Sequence, residues 1–88
     1  MGTYRKLIER ILRGTSDADI PFEEMCRLLE RLGFAGRVRG DHHIFTKAGI
    51  EEILNVQPKR SKAKPYQVKQ VRNVLLRYRL PLEEKDDQ

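Results

Sequence analysis

FAGRVRGDHHIFTKAGIEEILNVQ, running from Phe34 to Gln57, is the stretch that decides the fold. Within it the spacing of apolar residues changes from helical toward alternating, and Gly36, Gly40 and Gly49 cut it into pieces of strand length. Three strands are expected, at Gly36 to Arg39, His42 to Lys47 and Glu52 to Val56, joined by turns at Gly40-Asp41 and Lys47-Ala48-Gly49. Connections this short favour an antiparallel meander. Successive strand residues point to opposite faces, so His42 and Ile44 share one face while His43 and Phe45 share the other. Each face carries an apolar residue, and alternation alone leaves open which one is buried.

Upstream, Phe22, Met25, Leu28, Leu29 and Leu32 recur at helical spacing. Asp17, Asp19, Pro21, Glu23 and Glu24 crowd start signals ahead of that run, and Gly33 stops it. Further back, Tyr4 to Arg13 places Leu7, Ile8, Ile11 and Leu12 on one side of a short amphipathic helix that stops at Gly14. Core extension is its default role, with self-association or folding over a ligand surface as alternatives. Downstream, Gln57 to Lys64 reads as a basic connector, and Pro65 stands where a first helical turn accepts proline. Val68, Val71, Val74, Leu75 and Tyr78 form the apolar stripe of a last helix, with Lys69, Arg72 and Arg79 on another side and Pro81 as its stop. Glu83 to Gln88 is a charged tail expected to be disordered.

Helices covering one face of a three-stranded antiparallel sheet give an α+β architecture whose other sheet face stays partly open. The 88 residues suffice for a single small domain, expected over residues 1–82 with its core at 21–80 and the helix at 4–13 as an extension. A large cofactor fold is excluded. Phe22, Phe34 and Tyr78 are assigned to the core, and Tyr66 either packs on the sheet or stacks on a base.

Eighteen Lys and Arg against thirteen Asp and Glu leave a formal charge of +5, with a pI near 9.7. Such a balance favours a polyanionic partner, RNA first. From Ile53 through Leu82 there is no acidic residue, whereas Lys59, Arg60, Lys62, Lys64, Lys69, Arg72, Arg77 and Arg79 all fall there. An electropositive surface is expected from this half, a solvated solubilising face being the alternative. The single cysteine, Cys26, excludes a disulfide framework and a Cys-rich metal site, and reads as buried and inert. A reducing cytoplasm fits, and no apolar run approaches the roughly 20 residues that span a bilayer.

His42 and His43 are the only histidines. Because they alternate across a strand and no further ligand accompanies them, a histidine-pair metal site is not expected, and no cofactor is implied. Histidine is also the side chain suited to exchange a proton near neutrality, and RNA carries its own nucleophile in the 2′-hydroxyl. A base, an acid and cations for the developing charge are then sufficient chemistry. Arg39, Lys47 and Lys64 are the candidate cations beside such a histidine, and Lys62, Lys69 and Arg72 are candidate phosphate contacts on the connector and last helix.

The order helix, three strands, helix, with Gly40-x-His42 between the first two strands, resembles the HicA family of toxin mRNA interferases. Ile53-Leu54-Asn55-Val56-Gln57-Pro58, followed by Lys62-Ala63-Lys64-Pro65-Tyr66-Gln67-Val68-Lys69-Gln70-Val71-Arg72, is similar to one subgroup of that family, and the likeness covers Pro21 to Leu80. It implies a double-stranded-RNA-binding-like fold and metal-independent cleavage of mRNA through one strand-borne histidine, which maps to His42, with Gly40 in the RNA-binding motif. It also implies a HicB-type antitoxin partner that covers the active surface. A non-catalytic RNA-binding module, or a protein that chiefly docks its antitoxin, is the alternative on the same fold. The chain departs from the family at Asp41, where Ser or Thr is common. A hydroxyl donates to phosphate and a carboxylate repels it, so Asp41 is expected to modulate activity, to orient His42 or to cap the turn.

Overall fold

The computed structural model describes residues 2–80. The chain runs α1 (Gly2–Arg13), a short 3-10 turn (Asp17–Asp19), α2 (Phe22–Arg31), β1 (Ala35–Arg39), β2 (His42–Lys47), β3 (Ile50–Val56), β4 (Pro58–Lys59), β5 (Lys62–Ala63) and α3 (Pro65–Tyr78). The three long strands form an antiparallel sheet in the order β1-β2-β3, as the alternation from Phe34 to Gln57 predicts. The architecture is α+β, with three helices on one side of the sheet. The tail at 83–88 and Pro81 lie outside the described residues, and α3 already ends at Arg79, whose φ of 55° is left-handed.

Burial decides the faces that alternation left open. Phe45 is buried and pairs with buried Leu54, and Val56 is buried opposite His43. The face of His43 and Phe45 therefore meets the helices, and the ring of His43 stands edge-on to Phe22 at 4.8 Å between centroids. His42, Ile44, Ile53 and Asn55 fall on the open face. There, Ile53 keeps 59% of its surface exposed.

A single hydrophobic cluster runs from Leu7, Ile8 and Ile11 of α1 through Met25, Leu28 and Leu29 of α2 to Val68, Val71 and Leu75 of α3. Ile11 is fully buried, which makes α1 part of the core and gives it the default role its amphipathicity suggests. Phe22 and Phe34 are buried and Tyr78 packs at the core's edge, as expected of them. Among the described residues no helix is long and apolar enough to cross a membrane.

The segment read as a connector, Gln57 to Lys64, is in fact a two-stranded hairpin pairing Lys59 with Lys62 around Arg60-Ser61. Both turn residues have positive φ, 54° and 69°, the pattern of a type I′ turn. Neither is the glycine or asparagine that usually advertises such a turn. The hairpin holds because it serves α2: Pro21 offers no side-chain cap, and the Phe22 N–H donates instead to the Ser61 carbonyl at 2.9 Å. The Ala63 N–H donates to Ile20 O at 2.9 Å, closing the clamp.

Cys26 is only half-buried, contrary to the expectation of a buried thiol. Its pKa is nevertheless pushed up to about 11, first by desolvation and then by Glu30 and Glu23, which keeps it inert near neutrality.

Candidate active site

The β1–β2 loop is two residues long, because Arg39 pairs with His42 across Gly40-Asp41. Gly40 adopts φ +63° at the first loop position, the pattern of a type II′ turn, and a Cβ there would meet nothing within 4 Å. Glycine is thus required by backbone geometry rather than by crowding. The turn delivers His42 as the first residue of β2, on the open face.

The imidazole is held on one side and faced on the other. Nδ1 lies 2.9 Å from Oδ1 of Asn55 on β3, a hydrogen bond across the sheet. Nε2 lies 3.8 Å from Oδ1 of Asp41, beyond hydrogen-bond length. The His42 side chain is 44% exposed, open to a large ligand yet fixed in direction. Arg39 stands directly opposite His42 on β1, and Arg37 stands opposite Ile44. Opposed residues of an antiparallel pair have Cβ atoms about 5 Å apart, so both arginines share this face with the histidine.

At the same end of the sheet β3 leads through the β4–β5 hairpin into α3. The Gln57 N–H donates to Oε1 of Gln67 at 2.8 Å, and Lys64 Nζ donates to Oε1 of Gln57 at 3.1 Å. Gln67 is almost fully buried, and its Nε2 donates to the Tyr66 hydroxyl at 3.4 Å. Val56 pairs with His43, so continuing that register puts Gln57 at the position opposite His42. Lys64 and Tyr66 are thereby tied to the histidine's end of the sheet. Tyr66 does not pack on the sheet; 65% of its surface is exposed.

The remaining candidates lie elsewhere. Lys47 sits five residues along β2, about 17 Å from His42 at strand rise, and its ammonium covers Gly33 at the end of α2. Lys62 is paired with Asp19 at 2.9 Å on the clamp hairpin, which holds the Asp19 carboxyl below its ordinary value. Lys69 is exposed on α3, about 7.5 Å further along the helix than Lys64. Arg72 is committed within the fold: its side chain is 15% exposed, and its guanidinium holds Asp17 at 2.9 and 3.2 Å and donates to Ile11 O at 3.0 Å. It staples α3 to α1 and the 3-10 turn.

The same pairing trims the electropositive half. Arg77 is held by Glu52 at 2.8 Å, so three of the eight cations in the acid-free segment are matched by carboxylates from earlier in the chain. Among the described residues no group of three or more His, Cys, Asp and Glu is arranged to hold a metal ion.

A family model described as the HicA toxin of bacterial toxin-antitoxin systems matches residues 22–77. The chain belongs to the HicA toxin family. Neither the curated proteins nor the solved structures gave a match. HicA membership makes this chain the toxin component of a toxin-antitoxin system, whose partner is an antitoxin. The α+β arrangement is that of the double-stranded-RNA-binding-like fold expected of a HicA toxin, and α1 lies outside the matched segment. Gly40, Asp41, His42, Asn55 and Lys64 all lie within it.

Asn55 is the residue that sequence reasoning missed at the site. Its signal was local: a single polar side chain in Ile53-Leu54-Asn55-Val56, out of phase with the buried pair Leu54 and Val56.

Proposed function

We propose that this HicA toxin is a metal-independent endoribonuclease that cleaves mRNA, with His42 exchanging the proton. The observation that carries the reading is a half-exposed histidine, fixed by Asn55, on an open sheet face with Arg39 directly opposite. As general base His42 takes the proton of a 2′-hydroxyl; O2′ bonds to phosphorus, the P–O5′ bond breaks, and the 5′ oxygen takes a proton from water. The products are a 2′,3′-cyclic phosphate and a 5′-hydroxyl end, and His42 returns its proton to solvent. A positioned base contributes typically 10²–10⁴-fold. Arg39 and Lys64 neutralise phosphate charge, while exposed Tyr66 offers a stacking surface for an unpaired base. A HicB-type antitoxin silences the toxin by covering the open face. Acting on mRNA places the protein in the cytoplasm.

Purified protein is expected to degrade single-stranded RNA in excess EDTA, and His42→Ala to abolish cleavage while keeping the fold and most RNA binding. Equal cleavage by the two proteins refutes the assignment, and loss of cleavage in chelator points to a metal mechanism. Asp41 favours a second reading, an RNA-binding module that does not cut, because its carboxylate faces Nε2 where phosphate would approach. If that charge is the obstacle, Asp41→Ser raises cleavage. A fall with the fold preserved makes Asp41 a working partner of His42.

A further inference from the structure

The geometry points to Asn55 as the positioning residue of this site: it fixes His42 in the tautomer protonated on Nδ1, so that Nε2 is the atom that takes the RNA proton. This inference rests on the endoribonuclease reading and names the reacting nitrogen within it.

The argument begins with the chemistry of the acceptor. A carbonyl oxygen can only accept, so at 2.9 Å from Asn55 Oδ1 the ring nitrogen must carry the hydrogen. In the neutral imidazole one nitrogen donates and the other accepts. With Nδ1–H spent on Asn55, the lone pair sits on Nε2. A base needs that lone pair, and a ring free to change tautomer would present the wrong nitrogen for part of the time.

Rigidity follows from where the pair stands. His42 and Asn55 lie on adjacent strands and share the open face, diagonal to one another because Asn55 pairs with Ile44. The flanking residues Leu54 and Val56 are both fully buried, so the strand beneath Asn55 is anchored by the core. A site on paired strands holds its geometry better than one on a loop. Asn55 is itself exposed, so replacing it leaves the core untouched.

Asp41 completes the arrangement from the other side. At 3.8 Å its carboxylate makes no hydrogen bond to the neutral ring, yet it faces Nε2 as a counter-charge once that atom has taken a proton. The side chain is 71% exposed at a turn, free to yield the approach to Nε2 to an incoming 2′-hydroxyl.

Two variants test the role. Asn55→Leu keeps the volume and removes the acceptor; kcat on a single-stranded RNA should fall about ten- to hundredfold with KM changed less than twofold, as for other residues that orient a working histidine. Asn55→Asp keeps the acceptor and should hold kcat within a few-fold of wild type, with KM raised because the added charge repels phosphate. Independently of activity, two-bond proton–nitrogen NMR on RNA-free protein, assigned against His42→Ala, should show the neutral His42 ring protonated on Nδ1 in wild type and a mixture of tautomers in Asn55→Leu. A wild-type ring protonated on Nε2, or Asn55→Leu with undiminished kcat, overturns the inference. Wild-type protein that leaves RNA intact overturns the nuclease reading and the reacting role of Nε2 with it. Because the tautomer is read without RNA, that failure is told apart from a wrong tautomer.

Discussion

Replacing Arg72 with methionine separates a structural cation from a phosphate contact. Methionine keeps much of the aliphatic stem while removing every donor. Asp17 then keeps a carboxylate that is 24% exposed with no cation beside it, and the Ile11 carbonyl loses its 3.0 Å donor. Breaking a fully buried ion pair costs about 3–5 kcal/mol. Because this pair retains 15% and 24% exposure, water relieves part of that cost, and about 2–3 kcal/mol is the appropriate scale. At roughly 4–8 °C per kcal/mol for a domain of this size, the thermal midpoint should drop by about 10–20 °C. Circular dichroism melting reads the midpoint. RNA affinity, measured in a His42→Ala background well below both midpoints, should be unchanged within about twofold. The double variant Asp17→Leu with Arg72→Met should lose less than the sum of the single changes, because it removes both ends of one interaction. A midpoint shift under 2 °C with a tenfold loss of RNA affinity would refute the reasoning and make Arg72 an RNA contact.

Three further outcomes are expected. Alkylation of Cys26 should be slow at pH 7 and quicken by about tenfold per pH unit until the thiol titrates near its value of about 11; rapid labelling at neutral pH contradicts this. Tyr66→Ala should leave the melting midpoint unchanged and weaken binding of single-stranded RNA by about 1–3 kcal/mol, the scale of one stacked base, while Tyr66→Phe should bind as wild type does. Glu52 accepts from the Tyr78 hydroxyl at 2.7 Å, and that bond, with Arg77, holds its pKa below the ordinary value. A lowered folded-state pKa adds stability that is present above the unfolded value and lost as pH falls through the folded one. The wild-type midpoint should therefore fall more steeply on acidification below the ordinary glutamate range than that of Glu52→Gln, and parallel curves would contradict the assignment.

The strands and helices were legible because each carries its own period: Gly40 and Gly49 cut the sheet, and Gly33 marks the end of α2 where the hydrophobic spacing breaks. The orientation of β2 was not, since Ile44 and Phe45 make both of its faces apolar; only pairing with Leu54 and Val56 decides it. The clamp hairpin was hidden because Arg60 and Ser61 take left-handed conformations without a turn glycine, supported by backbone bonds to a segment some 40 residues earlier. Charge misled in a similar way. Arg72 and Lys62 find their carboxylates on a 3-10 turn more than 40 residues away, so no local pattern separates them from Lys64. The Gly40-x-His42 motif singles out His42, whereas its bond to Asn55 exists only once β2 and β3 are aligned.

The packing of α1 on α3 sets an order of events in the making of this toxin. α1 and α3 share one core, and the Arg72 staple joins residues 61 positions apart in the chain. Synthesis runs from the N-terminus, so α1 emerges with its buried face lacking the partner that only α3 supplies. α3 packs against β3, so the sheet too is complete in sequence before that helix is made. Folding can close only when the final turns of α3 have been made, which defers any injury the toxin does to its host until that helix has been synthesised.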